Sequence, residues 1–138
     1  MNMLPRIKVF YRFMSDLALL SKCEDKKQAA IIVDKQYTQV YSIGLNGGPA
    51  KGIDCLCSIG GKYTCIHAEA QAIAKAKVDL TGAVMLCTMS PCVTCASLII
   101  NSGIKSIIYR DEYKDNMGIN LLEKAGVKTA SFKLFGIE

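Results

Sequence analysis

The sequence predicts a three-layer α-β-α sandwich on a mixed five-stranded sheet, in a single domain spanning residues 1–138. Three observations predict it. Short apolar runs alternate with stretches of helical period in the order α-β-β-α-β-α-β-α-β, and the later strand–helix–strand units imply parallel pairing with crossover helices. The first two strands read as a hairpin, which adds an antiparallel edge. Hydrophobic residues make up 51% of the chain, above the usual share, so much of it must be buried. At 138 residues one core can form, and no linker, repeat or low-complexity segment divides it.

Residues 4–20 carry Ile7, Phe10, Tyr11, Met14, Leu17 and Leu20 at helical spacing. Residues 21–28 form a polar loop. Ala29–Val33 is a short buried strand, turned at residues 34–36, and residues 39–45 are its hairpin partner. Asn46-Gly47-Gly48-Pro49 ends the hairpin with strong turn chemistry. Residues 47–63 hold five glycines and two cysteines without a period, and a loop that long in a compact domain is usually functional or tied by metal. Residues 66–77 are alanine-rich and read as a helix. Residues 84–88 form a strand that leads straight to a helix at 91–101, with Pro91 at its first position and Ser102-Gly103 as its stop. A strand at 105–109, a helix at 116–125 closed by Gly126, and a strand at 127–132 complete the order.

Composition excludes several classes. The apolar runs are too short to span a membrane. Arg6, Lys8, Arg12 and Asp16 break up the start, so it does not read as a signal peptide and the chain reads as cytoplasmic. The net charge of +5 suits an anionic small molecule. Lys and Arg form no dense cluster interleaved with aromatics, which argues against a nucleic-acid partner.

The chemistry-bearing stretch runs from residue 64 to residue 95. It contains His67-Ala68-Glu69 and Pro91-Cys92-Val93-Thr94-Cys95, and His67 is the sole histidine. One imidazole and two thiolates are three good zinc ligands, and a catalytic zinc keeps its fourth position for water. His67 and Glu69 lie two apart, so they share no side face of a helix and can meet only off its N-terminus. Cys92 and Cys95, three apart, share a face at the start of a second helix, where the dipole favours thiolates. Two helix N-termini would thus point at one zinc, with Glu69 left to move protons. This H-x-E…P-C-x-x-C arrangement is the known signature of the zinc nucleobase deaminases. A Cys-x-x-Cys alone serves many ends, and a lone histidine is usually structural. A purely structural zinc site, however, has no use for a carboxylate that does not ligate.

The chain holds seven cysteines. Without a secretion signal, metal binding is the better reading than a disulfide framework. Cys87 sits in the apolar run at 83–87 and reads as buried filler. Cys23, Cys55, Cys57 and Cys65 remain, and four is the number a closed structural zinc site needs.

The chain resembles the deoxycytidylate (dCMP) deaminases, those of bacteriophages most of all. The resemblance rests on Ser21-Lys22-Cys23, Gly44-Leu45-Asn46-Gly47-Gly48-Pro49, the stretch Ile66 to Ile73, the stretch Thr88 to Ala96, Ser102-Gly103-Ile104-Lys105, and Tyr109 to Tyr113. It implies the cytidine deaminase-like fold and a zinc-dependent hydrolysis of dCMP to dUMP and ammonia, with Glu69 as the proton carrier, supplying dUMP for thymidylate synthesis. It further implies substrate contacts from Asn46, the Ala68 backbone and Tyr113, and a homohexamer activated by dCTP and inhibited by dTTP. Ser21 and Lys22 are candidates for the 5′-phosphate. Some phage relatives carry a second zinc, and Cys23 and Cys55 match cysteine positions there. The chain departs from the family pattern at Leu45, where an aromatic is usual, at Gln71, where asparagine is usual, and in a short loop between Cys57 and Cys65. A tRNA adenosine deaminase shares the zinc motif, but the C-terminal residues 132–138 give no basic helix.

Overall fold

A computed structural model describes residues 2–23, 25–55 and 65–137. The elements are α1 (Leu4–Ala18), β1 (Ala29–Val33), β2 (Val40–Leu45), α2 (Ala68–Lys75), β3 (Val84–Met89), α3 (Val93–Ser102), β4 (Ser106–Asp111), α4 (Met117–Lys124) and β5 (Lys128–Ser131), followed by a 3-10 turn at Phe132–Phe135. The sheet order is β2-β1-β3-β4-β5. β1 is antiparallel to both β2 and β3, and β3, β4 and β5 run parallel. The predicted mixed five-stranded sheet is therefore the one observed.

Period-2 alternation divides each central strand between two cores. Ala30 and Ile32 of β1 and Met85 and Cys87 of β3 face one cluster, with Ala72 of α2, Ala96 and Ile99 of α3 and Leu122 of α4. Ala29, Ile31, Val33, Val84 and Leu86 face the other, with Ile7 and Met14 of α1 and Phe132 of the terminal turn. All five residues of β1 are buried, which only a sheet covered on both faces allows. The sheet is thus the middle of three layers.

Boundaries moved at helix ends. The helix expected over 66–77 keeps only Ala68–Lys75, because His67 is its N-cap with extended ψ. Pro91 is not the first helical residue: Cys92 is the N-cap of α3, and its thiol accepts from the Cys95 amide. The strand expected over 127–132 is shorter, and Phe132 opens a 3-10 turn that periodicity did not signal. No helix among the described residues is long and apolar enough to cross a membrane.

Candidate active site

α2 and α3 bring their N-termini together beside the end of β3. His67, at the N-cap of α2, places Nδ1 3.6 Å from Cys92 Sγ and 3.4 Å from Cys95 Sγ. A tetrahedral zinc with its usual Zn–N and Zn–S bonds holds such donors about 3.5 Å apart, so the three residues fit the ion. Their protonation fits too. Burial, aided by the Lys26 ammonium, holds His67 below its ordinary value, in the neutral form that ligates. Burial pushes Cys95 far above its usual range, helped by the Glu69 carboxylate and Cys92. Only a cation reverses that penalty and makes the thiolate stable.

Glu69 sits in the first turn of α2, buried. Burial pushes its carboxyl up to about 7, against a lowering contact with the Cys95 thiol. An acid poised near neutrality can both accept and release a proton. α4 backs the centre: a Cβ on Gly118 would lie 2.0 Å from the Pro91 carbonyl oxygen, so the first turn of α4 rests on the Pro91–Cys92 backbone.

A cavity of about 280 Å³ opens onto this centre, lined among others by Lys26, Asn46, His67, Glu69, Ser90 and Tyr113. Asn46 is buried, and its Oδ1 accepts from the Ala68 amide at 2.6 Å, capping α2 from outside. Of the Ala68 backbone, expected to contact the substrate, the N–H is thus held by Asn46. Tyr113 is positioned by its amide, which donates to Ser90 Oγ at 2.7 Å. Ser21 is buried, and its hydroxyl donates to the Asn46 carbonyl at 2.7 Å. Lys22 lines a separate recess of about 410 Å³ with Leu45, Gln71 and Lys75. Neither Ser21 nor Lys22 lines the catalytic cavity. Lys26, which does, falls in the polar loop at 21–28, where no local signal distinguishes it from Lys22 or Lys27.

A second cysteine group forms as the count suggested. Cys23, Cys55 and Cys65 bring their thiols within 4.8 Å of one another, as the His67 centre does its donors. Cys57 lies outside the described residues. Cys87 is buried in the sheet, as its apolar run predicted.

Two helix N-termini converging on one imidazole and two thiols, with a buried carboxylate beside them, form the donor arrangement that zinc nucleobase deaminases use. The chain belongs to the cytidine and deoxycytidylate deaminase zinc-binding region family, which it matches over residues 6–111. It is 28% identical to the deoxycytidylate deaminase of Saccharomyces cerevisiae over 137 residues, 89% of this chain but 43% of the yeast protein. The chain therefore spans less than half of that relative. It is 33% identical to the deoxycytidylate deaminase of Mus musculus, covering 85% of this chain and 68% of the mouse protein. The crystal structure of dCMP deaminase from the cyanophage S-TIM5 in complex with dCMP and dUMP superposes with a TM-score of 0.82 at 30% identity, covering 95% of this chain and 98% of that one.

Proposed function

We propose that the protein hydrolyses dCMP to dUMP with release of ammonia. The observation that carries this is the buried Glu69 in the wall of the cavity, beside His67, Cys92 and Cys95. Zinc, when held by those three residues, supplies a water made nucleophilic at neutral pH. Glu69 takes one proton from the attacking water and delivers it to N3 of the cytosine ring, then takes the second from the hydroxyl now on C4 and passes it to the departing amino group. Burial near neutral pKa suits each of these transfers. Asn46 and Tyr113, on the cavity wall, hold the base and sugar, and Asn46 also fixes the start of α2. The complex of the cyanophage relative with dCMP and dUMP supports this substrate.

The phosphate needs a cation. Lys26 is the one lysine or arginine among the described residues lining the cavity, so it takes the 5′-phosphate. Lys27 is committed elsewhere: its Nζ donates to the Ser21 carbonyl at 2.8 Å. Cys23, Cys55 and Cys65 hold a second, structural zinc, with Cys57 as candidate for a fourth ligand. The enzyme works in the cytoplasm and supplies dUMP for thymidylate synthesis. It is a homohexamer activated by dCTP and inhibited by dTTP, and the lysine-lined recess beside Asn46 is where those anions bind.

Incubating the purified protein with dCMP, deoxycytidine, dCTP and a tRNA anticodon stem, and measuring ammonia, tests the reading. Turnover of dCMP well above the rest is expected. Equal turnover of deoxycytidine would assign a nucleoside deaminase, and turnover of the tRNA stem alone would overturn the substrate.

A further inference from the structure

Gln28 lines the catalytic cavity with Lys26 and Asn46, and no step described above uses it. It immediately precedes β1 and is pinned at three points. Its backbone N–H donates to the Lys26 carbonyl at 3.1 Å, and its backbone carbonyl accepts from the Asn46 N–H at 3.1 Å. Its side-chain Oε1 accepts from the Thr88 hydroxyl. Thr88 is fully buried near the end of β3, and its Oγ1 in turn accepts from the Ala29 N–H at 3.0 Å. The Ala29 carbonyl, at 3.3 Å, is the more distant acceptor for the hydroxyl proton, so that proton goes to Gln28. An Oε1 that accepts fixes which way the side-chain amide faces and leaves Nε2 with two N–H donors. Neither donor has a partner among the described residues.

We infer that Gln28 is a specificity-determining residue for the base: its Nε2 donates to the C2 carbonyl oxygen of the pyrimidine, and Thr88 is the positioning residue that aims it. The inference rests on the deaminase reading and names a contact that reading lacks. Cytosine offers two acceptors on its ring, N3 and the C2 carbonyl. Glu69 serves N3 and the amino group at C4. The Ala68 N–H is already taken up by Asn46 Oδ1 at 2.6 Å. A carbonyl brought into the cavity without a donor would give up its hydrogen bond to water for nothing. Gln28 supplies the donor from a side chain whose orientation is set before the substrate arrives, so little freedom is lost on binding. Adenine carries a C–H where cytosine has this carbonyl. It would leave the donor unpaired, and a site built around a hydrogen bond rejects a ligand that cannot make it.

Gln28→Met keeps the length of the side chain and removes its donors. The KM for dCMP should rise about two- to twelvefold, the range for one neutral hydrogen bond. The kcat should change little, because the bond is equally good in the ground and transition states. Thr88→Val should reproduce part of that rise, and Thr88→Ser, which retains the hydroxyl, should restore KM. Because Thr88 acts through Gln28, the double variant Gln28→Met/Thr88→Val should bind no worse than Gln28→Met alone. The deciding measurement changes the substrate atom instead. By calorimetry, 2-thio-dUMP, whose sulfur is a weak acceptor, should bind the wild type more weakly than dUMP does, and the two should bind Gln28→Met alike. In the same variant dAMP should gain affinity relative to dUMP. An equal loss on thio substitution in both proteins would overturn the contact, as would an unchanged KM in Gln28→Met. A loss seen only with 5-hydroxymethyl-dCMP would move the contact to C5 and overturn it too. If Thr88→Val fails to fold, Gln28→Met and the thio pair still decide. If the protein binds dUMP but does not turn over dCMP, the calorimetry still decides the inference, and the deaminase reading alone falls.

Discussion

Glu69 and Lys26 divide the proposed reaction between chemistry and recognition. Glu69→Gln keeps the shape of the side chain and removes its ability to carry a proton. We expect the fold and bound zinc to persist while kcat drops by about 10²–10⁴-fold or more, since one group serves several transfers. Circular dichroism, zinc content and single-turnover assays check this, and ordinary turnover in the Gln variant would refute the role. Lys26→Ala should act on a different quantity. It should raise KM for dCMP and leave the weak reaction with deoxycytidine nearly unchanged, because the nucleoside has no phosphate to lose. Comparing kcat/KM for the two substrates decides it, with Lys22→Ala as the control from outside the cavity. The sequence motif identified Glu69 because its neighbours are diagnostic. It could not single out Lys26, since which of several lysines in a polar loop faces a cavity is decided by the loop's path.

At the scale of elements, two close fits carry predictions. Gly118 lies in the first turn of α4, where glycine costs about 1 kcal/mol relative to alanine. On propensity alone Gly118→Ala would stabilise the protein. The Pro91 carbonyl at 2.0 Å from the added Cβ opposes that. The expected outcome is a less stable protein with weakened metal retention at Cys92, read by thermal unfolding and competition with a chelator; a rise in stability would show that α4 moves aside freely. The hairpin turn offers the second case. Asp34 accepts from the Thr38 amide and hydroxyl, each at 2.6 Å, and from the Gln39 amide at 2.8 Å. Burial works against its ionisation, but these donors outweigh it and hold the carboxyl below its ordinary value. A depressed folded-state value means stability that is complete above the unfolded-state value and is lost as pH falls through the folded one. Asp34→Asn should therefore cost about 1–3 kcal/mol at neutral pH. The gap to wild type should narrow below about pH 4, as urea unfolding at several pH values would show. The strands were legible because alternation and buried runs mark them directly. Helix starts were not, because His67 and Cys92 are N-caps whose backbone is extended, and nothing in their side chains announces it. Pro91 misled for the same reason: it favours a first helical turn, yet here it lies just before the cap.

For the whole molecule, the arrangement of charge joins the proposed catalytic and regulatory sites. The chain carries a net +5. Lys22, Lys51 and Lys75 line the 410 Å³ recess, and Lys26 lines the catalytic cavity. Asn46 borders both spaces. By the proposed regulation, an anion in the recess would act on the same turn that shapes substrate binding, and two nucleotides that set the turn differently would have opposite effects. Thermodynamic linkage then requires that substrate alter effector affinity by the same factor. Leu45 and Gln71, which depart from the family pattern, lie on this recess, so effector preference is the property most exposed to change. We expect dCTP to lower the KM for dCMP and dTTP to raise it, each by about 5–150-fold, in a homo-oligomer visible by light scattering. Lys75→Ala, remote from the catalytic cavity, should blunt both responses and leave turnover without effector intact. A monomer indifferent to both nucleotides would remove the regulatory part of the proposal while leaving the deamination itself untouched.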